Sequence, residues 1–254
     1  MKKILALLLS VCMLCLSACA SSGGAEQQET TAATTEPIQT TEAAVLTDAE
    51  IYDAFLGKLC EKLLAIIGDD THLDGFAERE GMLGVNEIVQ RLERDMLDKI
   101  GYVVTDINSD GVMELLICAV DSLEGENCTG TRILCAFTVA DNDKVLLLEG
   151  NSANRYYLLD DMTVYNETRE SNAASGNGVY SLESEGAALT CKDFYFTYPD
   201  ENNNILFYHN QTGVFDTAAS EGFDGDEADF NAMLKGYADR IKTIELKPLS
   251  AFEG

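Results

Sequence analysis

The sequence predicts an α+β fold: N-terminal helices, then an antiparallel β-meander, then a C-terminal helix. Three observations carry this. Apolar residues recur at helical spacing between residues 47 and 99. After Gly101 they fall instead into short alternating or continuous runs separated by turn residues. Helical spacing then returns between residues 226 and 241. Strands that follow one another through short links pair antiparallel, because parallel strands need a crossover helix. Helices gathered at both ends of such a run make an α+β layering.

The elements follow in order. Thr47-Asp48-Ala49-Glu50 is a capping-box pattern, and Ile51, Phe55, Leu59, Leu63 and Ile66 continue one apolar face until Gly68. A polar stretch, DDTHLDGFAEREG, leads to a second predicted helix over 85–99, with Ile88, Val89, Leu92, Met96 and Leu97 on one side. Strands are predicted at 102–106, 113–120, 132–139, 144–148, 155–159, 163–167, 179–183, 189–198 and 205–209. Asp141-Asn142-Asp143 and the run 199–204 supply turn chemistry between them. The final helix carries Phe230, Met233, Leu234 and Tyr237. The acids of DGDEAD, 224–229, are read as its cap and first turn, with Asp226 at the N-cap.

One loop points to chemistry. In DINSDGVMELLI, residues 106–117, oxygen-bearing groups stand at positions 1, 3, 5, 7 and 9: Asp106, Asn108, Asp110, the backbone carbonyl of Val112, and Glu114. Gly111 holds position 6, where a wrapping loop must turn sharply. Calcium takes six to eight oxygen ligands of these kinds, and three neighbouring carboxylates repel each other without a cation. Ca2+ in a structural role is therefore the expected cofactor, at 106–114.

The loop resembles two families that share a D-x-[DN]-x-D-G core. EF-hands and dockerin modules place their bidentate acid at position 12, which is Ile117 here, and continue into a helix. FG-GAP loops place it at position 9 between strands, as Glu114 is placed here. The flanking GYVVTDINSDGVMELLI also resembles a motif of Gram-positive cell-surface lipoproteins, in which it follows a short helical region and opens a β-rich domain. That resemblance implies a location and a metal site, and no activity.

The chain opens with Lys2 and Lys3 and an apolar run, Ile4 to Leu16, too short to span a membrane. Leu16-Ser17-Ala18-Cys19 resembles the lipobox of bacterial lipoproteins. The resemblance implies cleavage after residue 18 and lipidation of Cys19, which would tie the protein to the outer face of the bacterial membrane. Two acyl chains give the stable anchoring that one does not. Residues 19–46, rich in Thr, Ala, Glu and Gln, read as a disordered tether spanning about 30 Å, and 47–254 as a single domain.

Forty-four acidic residues against 17 basic give a net charge of −27, which disfavours nucleic acid as a partner. Beyond Cys19 five cysteines remain, an odd number without metal-site spacing: Cys60, Cys118, Cys128, Cys135 and Cys191. Cys118 and Cys135 fall at roughly opposite positions on adjacent predicted strands, so a bridge and buried free thiols both stand open. The mature sequence holds no GxSxG, HExxH, P-loop or GxGxxG pattern, and its imidazoles are His72 and His209. Tyrosines and phenylalanines from Tyr156 to Tyr208 read as core packing, with a saccharide platform as the other use. The expectation is an extracytoplasmic, non-catalytic binder of a surface ligand or protein. A hydrolase working through acidic residues is the alternative.

Overall fold

Thr47 starts the first helix. Its hydroxyl accepts from the Glu50 N–H at 3.3 Å, and the Glu50 carboxylate accepts from the Thr47 N–H at 2.8 Å. Two orphan donors are thereby satisfied, as the sequence predicts. The computed structural model describes residues 46–69, 81–124, 127–184 and 187–253. The signal segment 1–18, Cys19, the tether up to residue 45 and His72 lie outside the described residues. Helix α1 runs Asp48–Gly68 and buries Tyr52, Leu56, Leu59, Leu63 and Ile66, a stripe at 3.6-residue spacing.

The second helix is shorter than the sequence predicts. Helix α2 covers Leu83–Val89, and a separate 3-10 turn covers Met96–Asp98. The break lies at Leu92, which adopts φ +53° and stands 45% exposed. The N–H groups of Arg91 and Leu92 close three residues back, onto Ile88 and Val89, and the i−4 ladder ends there. The reversal lets Met96 drop into the core at 1% exposure.

The sheet contains β1 (Ile100–Thr105), β2 (Glu114–Ala119), β3 (Ser122–Glu124), β4 (Asn127–Gly130), β5 (Arg132–Ala140), β6 (Asp143–Glu149) and β7 (Asn154–Leu158). It continues through β8 (Val164–Arg169), β9 (Ser175–Leu182), β10 (Leu189–Pro199), β11 (Ile205–Asn210), β12 (Glu221–Gly222) and β13 (Ile244–Pro248). Spatial order is β12-β11-β10-β9-β8-β7-β5-β2-β1-β13-β4-β3, antiparallel throughout, with β6 paired to the far half of β5. All nine predicted strands are present, and β7 to β11 form the expected meander. Four short strands were not predicted, β3, β4, β12 and β13, and of these β13 inserts between β1 and β4. So long a sheet cannot stay open and flat. Residues of β8, β9, β13 and β4 reach the same apolar cluster as Leu116 and Cys118 of β2, so the sheet rolls over its own face. Leu115 and Ile117 point the other way, into the cluster under α1 and α2. β2 is thus buried on both faces, which is why its sequence, ELLICA, does not alternate. Helix α3 (Glu227–Ala238) is capped by Asp226, whose carboxylate accepts from Ala228 and Asp229 N–H, and its Phe230 packs on Phe207 and Phe223.

The five cysteines among the described residues are free thiols. A bulge in the β2–β5 ladder sets Cys135 opposite Ile117 and Cys118 opposite Ile133, so the two cysteines are not cross-strand partners. Burial pushes the thiols of Cys118, Cys128 and Cys135 up, and that of half-buried Cys191 up to about 11. Near pH 8 about one Cys191 in a thousand is then thiolate, the reactive form. Ellman's reagent is expected to titrate only Cys60 and Cys191 slowly in the native protein, with the other three reacting after unfolding. Prompt reaction of all five would contradict this packing.

Candidate functional site

The loop 106–113 joins β1 to β2, and its ends are held by ladder and helix together. Thr105 pairs with Glu114 across the two strands. Met113 uses both backbone groups on α1: its N–H donates to Asp48 Oδ2 at 3.3 Å, and its carbonyl accepts from Tyr52 Oη at 2.7 Å. The same hydroxyl reaches the Phe137 carbonyl at 3.2 Å. Burial, followed by the charges of Glu114 and Asp48, raises the Tyr52 phenol far above its ordinary range, so it stays protonated as a donor.

Within the loop the side-chain oxygens face backbone N–H groups. Asp106 accepts from Ser109 at 2.6 Å and Gly111 at 3.0 Å. Asn108 Oδ1 accepts from Asp110 N–H at 3.2 Å, and Asp110 accepts from Val112 N–H at 2.8 Å and from the Asn108 amide at 2.8 Å. These are Asx-type turns, the local chemistry that makes Asp and Asn loop residues. Ser109 and Gly111 both take positive φ, +62° and +91°. No atom stands near a Cβ at Gly111, so its glycine serves backbone conformation rather than space.

Glu114 differs from the other acids. Its residue is 0% exposed, and its carboxylate accepts from Ile107 N–H at 3.0 Å and Thr138 Oγ1 at 3.1 Å. Burial is the main reason its carboxyl is raised above the usual range, with Asp110 and Asp106 adding to it. No Lys or Arg pairs with it among the described residues. The predicted residues therefore span the loop and the first residue of β2, with Asp110 exposed, Asp106, Asn108 and Val112 half-buried, and Glu114 sealed beneath them. Among the described residues, no three acidic, histidine or cysteine side chains converge as a ready metal cage. The donor set nonetheless fits a hard cation: each carboxylate has two oxygens and about four lone-pair sites, more than the two hydrogen bonds named for each.

Of the imidazoles, His209 stacks on Tyr195 with ring centroids 4.5 Å apart and bonds Asp193 at 2.9 Å. One arrangement escaped sequence reading. Arg155, Glu167 and Asn177 lie side by side on β7, β8 and β9 because ladder register places them so. With Ser152, Arg169 and Ser175 they line a cleft of about 460 Å³. Two further clefts are lined by residues including Ile66 and Arg94, and Asp53 and Glu245. No helix among the described residues is long and apolar enough to cross a membrane. No protein-family model, curated protein or solved structure matches the chain.

Proposed function

We propose that the chain is an extracytoplasmic, lipid-anchored protein. Its strand-rich domain binds a ligand or protein partner without catalysis, steadied by calcium in the 106–114 loop. Glu114 carries the calcium reading. A carboxylate with no exposure, no basic partner and two acids beside it is costly to ionise, and a divalent cation is the group that relieves that cost. Asp106, Asn108, Asp110, the Val112 carbonyl and Glu114 would hold the ion. The ion would supply charge neutralisation, cross-linking the end of β1 to the start of β2. The LSAC sequence at Cys19 and the acidic composition support the location.

The hydrolase reading draws less support from the clefts. Acid-pair hydrolysis needs two isolated carboxylates facing a bound sugar. Glu167 instead sits 3.6 Å from the Arg155 guanidinium, and Asp53 and Glu245 both stand exposed to solvent.

Titration calorimetry of the chelator-stripped protein with calcium tests the proposal. One site is expected, with Kd on the order of 10⁻⁴ to 10⁻³ M as in extracellular modules, abolished by Asp110→Ala. Absence of heat, together with identical melting with and without calcium, overturns it.

A further inference from the structure

The cleft on the β7–β9 face gathers two guanidiniums around one carboxylate. Arg155 stands opposite Glu167, Glu167 opposite Asn177, and Arg169 opposite Ser175. Residues two apart on a strand share a face, so all five side chains project to the same side, with both guanidiniums as near diagonal neighbours. Glu167 is the one carboxylate lining the cleft, and it pairs with Arg155. Arg169, exposed, forms no ion pair among the described residues. The cleft therefore carries one excess positive charge in a chain whose net charge is −27.

The groups beneath fix what the cleft presents. Tyr165, buried, donates its hydroxyl to Asn177 Oδ1 at 2.8 Å, which occupies the amide oxygen and leaves the Asn177 N–H groups as the donors to offer. Tyr157 donates to Glu167 Oε2 at 3.4 Å and leaves the carboxylate further lone pairs. Ser152 and Ser175 also line the cleft, the Ser175 hydroxyl sharing a 3.1 Å hydrogen bond with Thr197 Oγ1. At about 460 Å³ the cleft lies in the range of small-molecule sites, but its lining is polar where most such sites are apolar. Its ligand must be correspondingly polar. A guanidinium holds a carboxylate through paired charge-assisted hydrogen bonds, and the amide, hydroxyls and Glu167 suit sugar hydroxyls.

We propose that this cleft binds the carboxylate of an acidic sugar, such as a uronic acid unit of a surface polysaccharide, with Arg169 and Arg155 on the carboxylate and Asn177 and Glu167 on ring hydroxyls. The proposal rests on the binder reading above and names its ligand class.

Ligand-observed NMR on the full-length protein with D-glucuronate tests it, with glucose as the control ligand and inorganic sulfate as a competitor that displaces the glucuronate signal. Saturation transfer to glucuronate is expected with millimolar affinity, at least tenfold tighter than to glucose and weakened by added salt. Arg169→Ala should weaken it at least tenfold, and Arg169→Lys should recover part of the loss, because the charge returns without the fork. Both variants should keep the wild-type melting temperature, since Arg169 is exposed. No transfer to glucuronate, equal affinity for glucose, or affinity unchanged in Arg169→Ala each overturns the assignment and leaves the binder reading to other ligands. Sulfate binding as tightly as glucuronate also overturns it, reducing the cleft to a general anion site. Cleavage of a glucuronate-containing oligosaccharide would overturn the non-catalytic reading while keeping the cleft as the sugar site.

Discussion

Glu114→Gln is expected to move the melting temperature in opposite senses with and without calcium. In chelator, wild type must ionise a carboxylate that is sealed from water and flanked by Asp106 and Asp110. Its carboxyl is raised in the fold, so its stabilising contribution is complete below the ordinary carboxylate range. That contribution is lost as pH rises through the raised value. At neutral pH the glutamine variant escapes this loss. Its amide oxygen can still accept from Ile107 N–H, while its NH2 donates to Thr138 Oγ1. It should melt at or above wild type in chelator. With calcium the order reverses, because the ion binds the carboxylate and not the amide. At about ten to a hundred times Kd, calcium adds about 1.4–2.7 kcal/mol to wild type, or roughly 3–10 °C for a domain of this size. The same linkage makes the calcium gain grow as pH rises, since protons compete for Glu114. Melting curves of both proteins in chelator and in calcium, across mildly acidic to mildly alkaline pH, measure all of this. A full calcium gain retained by Glu114→Gln, or one that does not vary with pH, would remove Glu114 from the site.

How much of this was legible in the sequence depends on how locally each feature is determined. The capping box at Thr47 with Glu50 and the N-cap at Asp226 are contacts over two or three residues and read directly; that Asp229 completes a second box did not. The nine predicted strands also read directly, because apolar runs and turn residues mark them along the chain. The end of α2 at Leu92 did not, since no glycine or proline marks it and the periodic residues 88–97 continue past the break. Tyr52 and Leu56 face the core from α1 more fully than Phe55, because the stripe follows the sheet beneath rather than the longest apolar spacing. The loop at 106–114 read as a set of donors, but which donor is buried depends on Thr138 and Ile107 closing over Glu114. The cleft was invisible in sequence: Arg155 and Arg169 become neighbours only through the register of β7 and β8. The strand β13 was missed for a related reason. IELKP is short, alternates a buried with an exposed residue, and ends in proline, so only its place between β1 and β4 reveals it.

That placement has a consequence at Gly130, where alanine is expected to lower the melting temperature far more than at Gly222. Gly130 pairs with Ile244 of β13, and β4 there passes against Ala119, the last residue of β2. A Cβ at Gly130 would stand 2.1 Å from the Ala119 carbonyl oxygen and 2.9 Å from Leu246 Cδ1. The nearer atom is backbone and belongs to the central strand, so no side-chain rotation relieves the contact. Gly130 does not take positive φ, and alanine suffers no conformational penalty there; the effect is steric. Overpacking of cores typically costs 1–3 kcal/mol, and a contact this close to backbone belongs at or above the top of that range. About 3 kcal/mol corresponds to a fall of roughly 6–12 °C for a domain of this size. Gly222→Ala, in edge strand β12 with open space around its Cβ position, is the control and should shift stability by less than about 0.5 kcal/mol. Parallel melting of the two variants separates strand crossing from a general intolerance of alanine. If Gly130→Ala melts with the control and wild type, β4 does not lie against β2, and the rolled sheet that seals the second core is wrong at that edge.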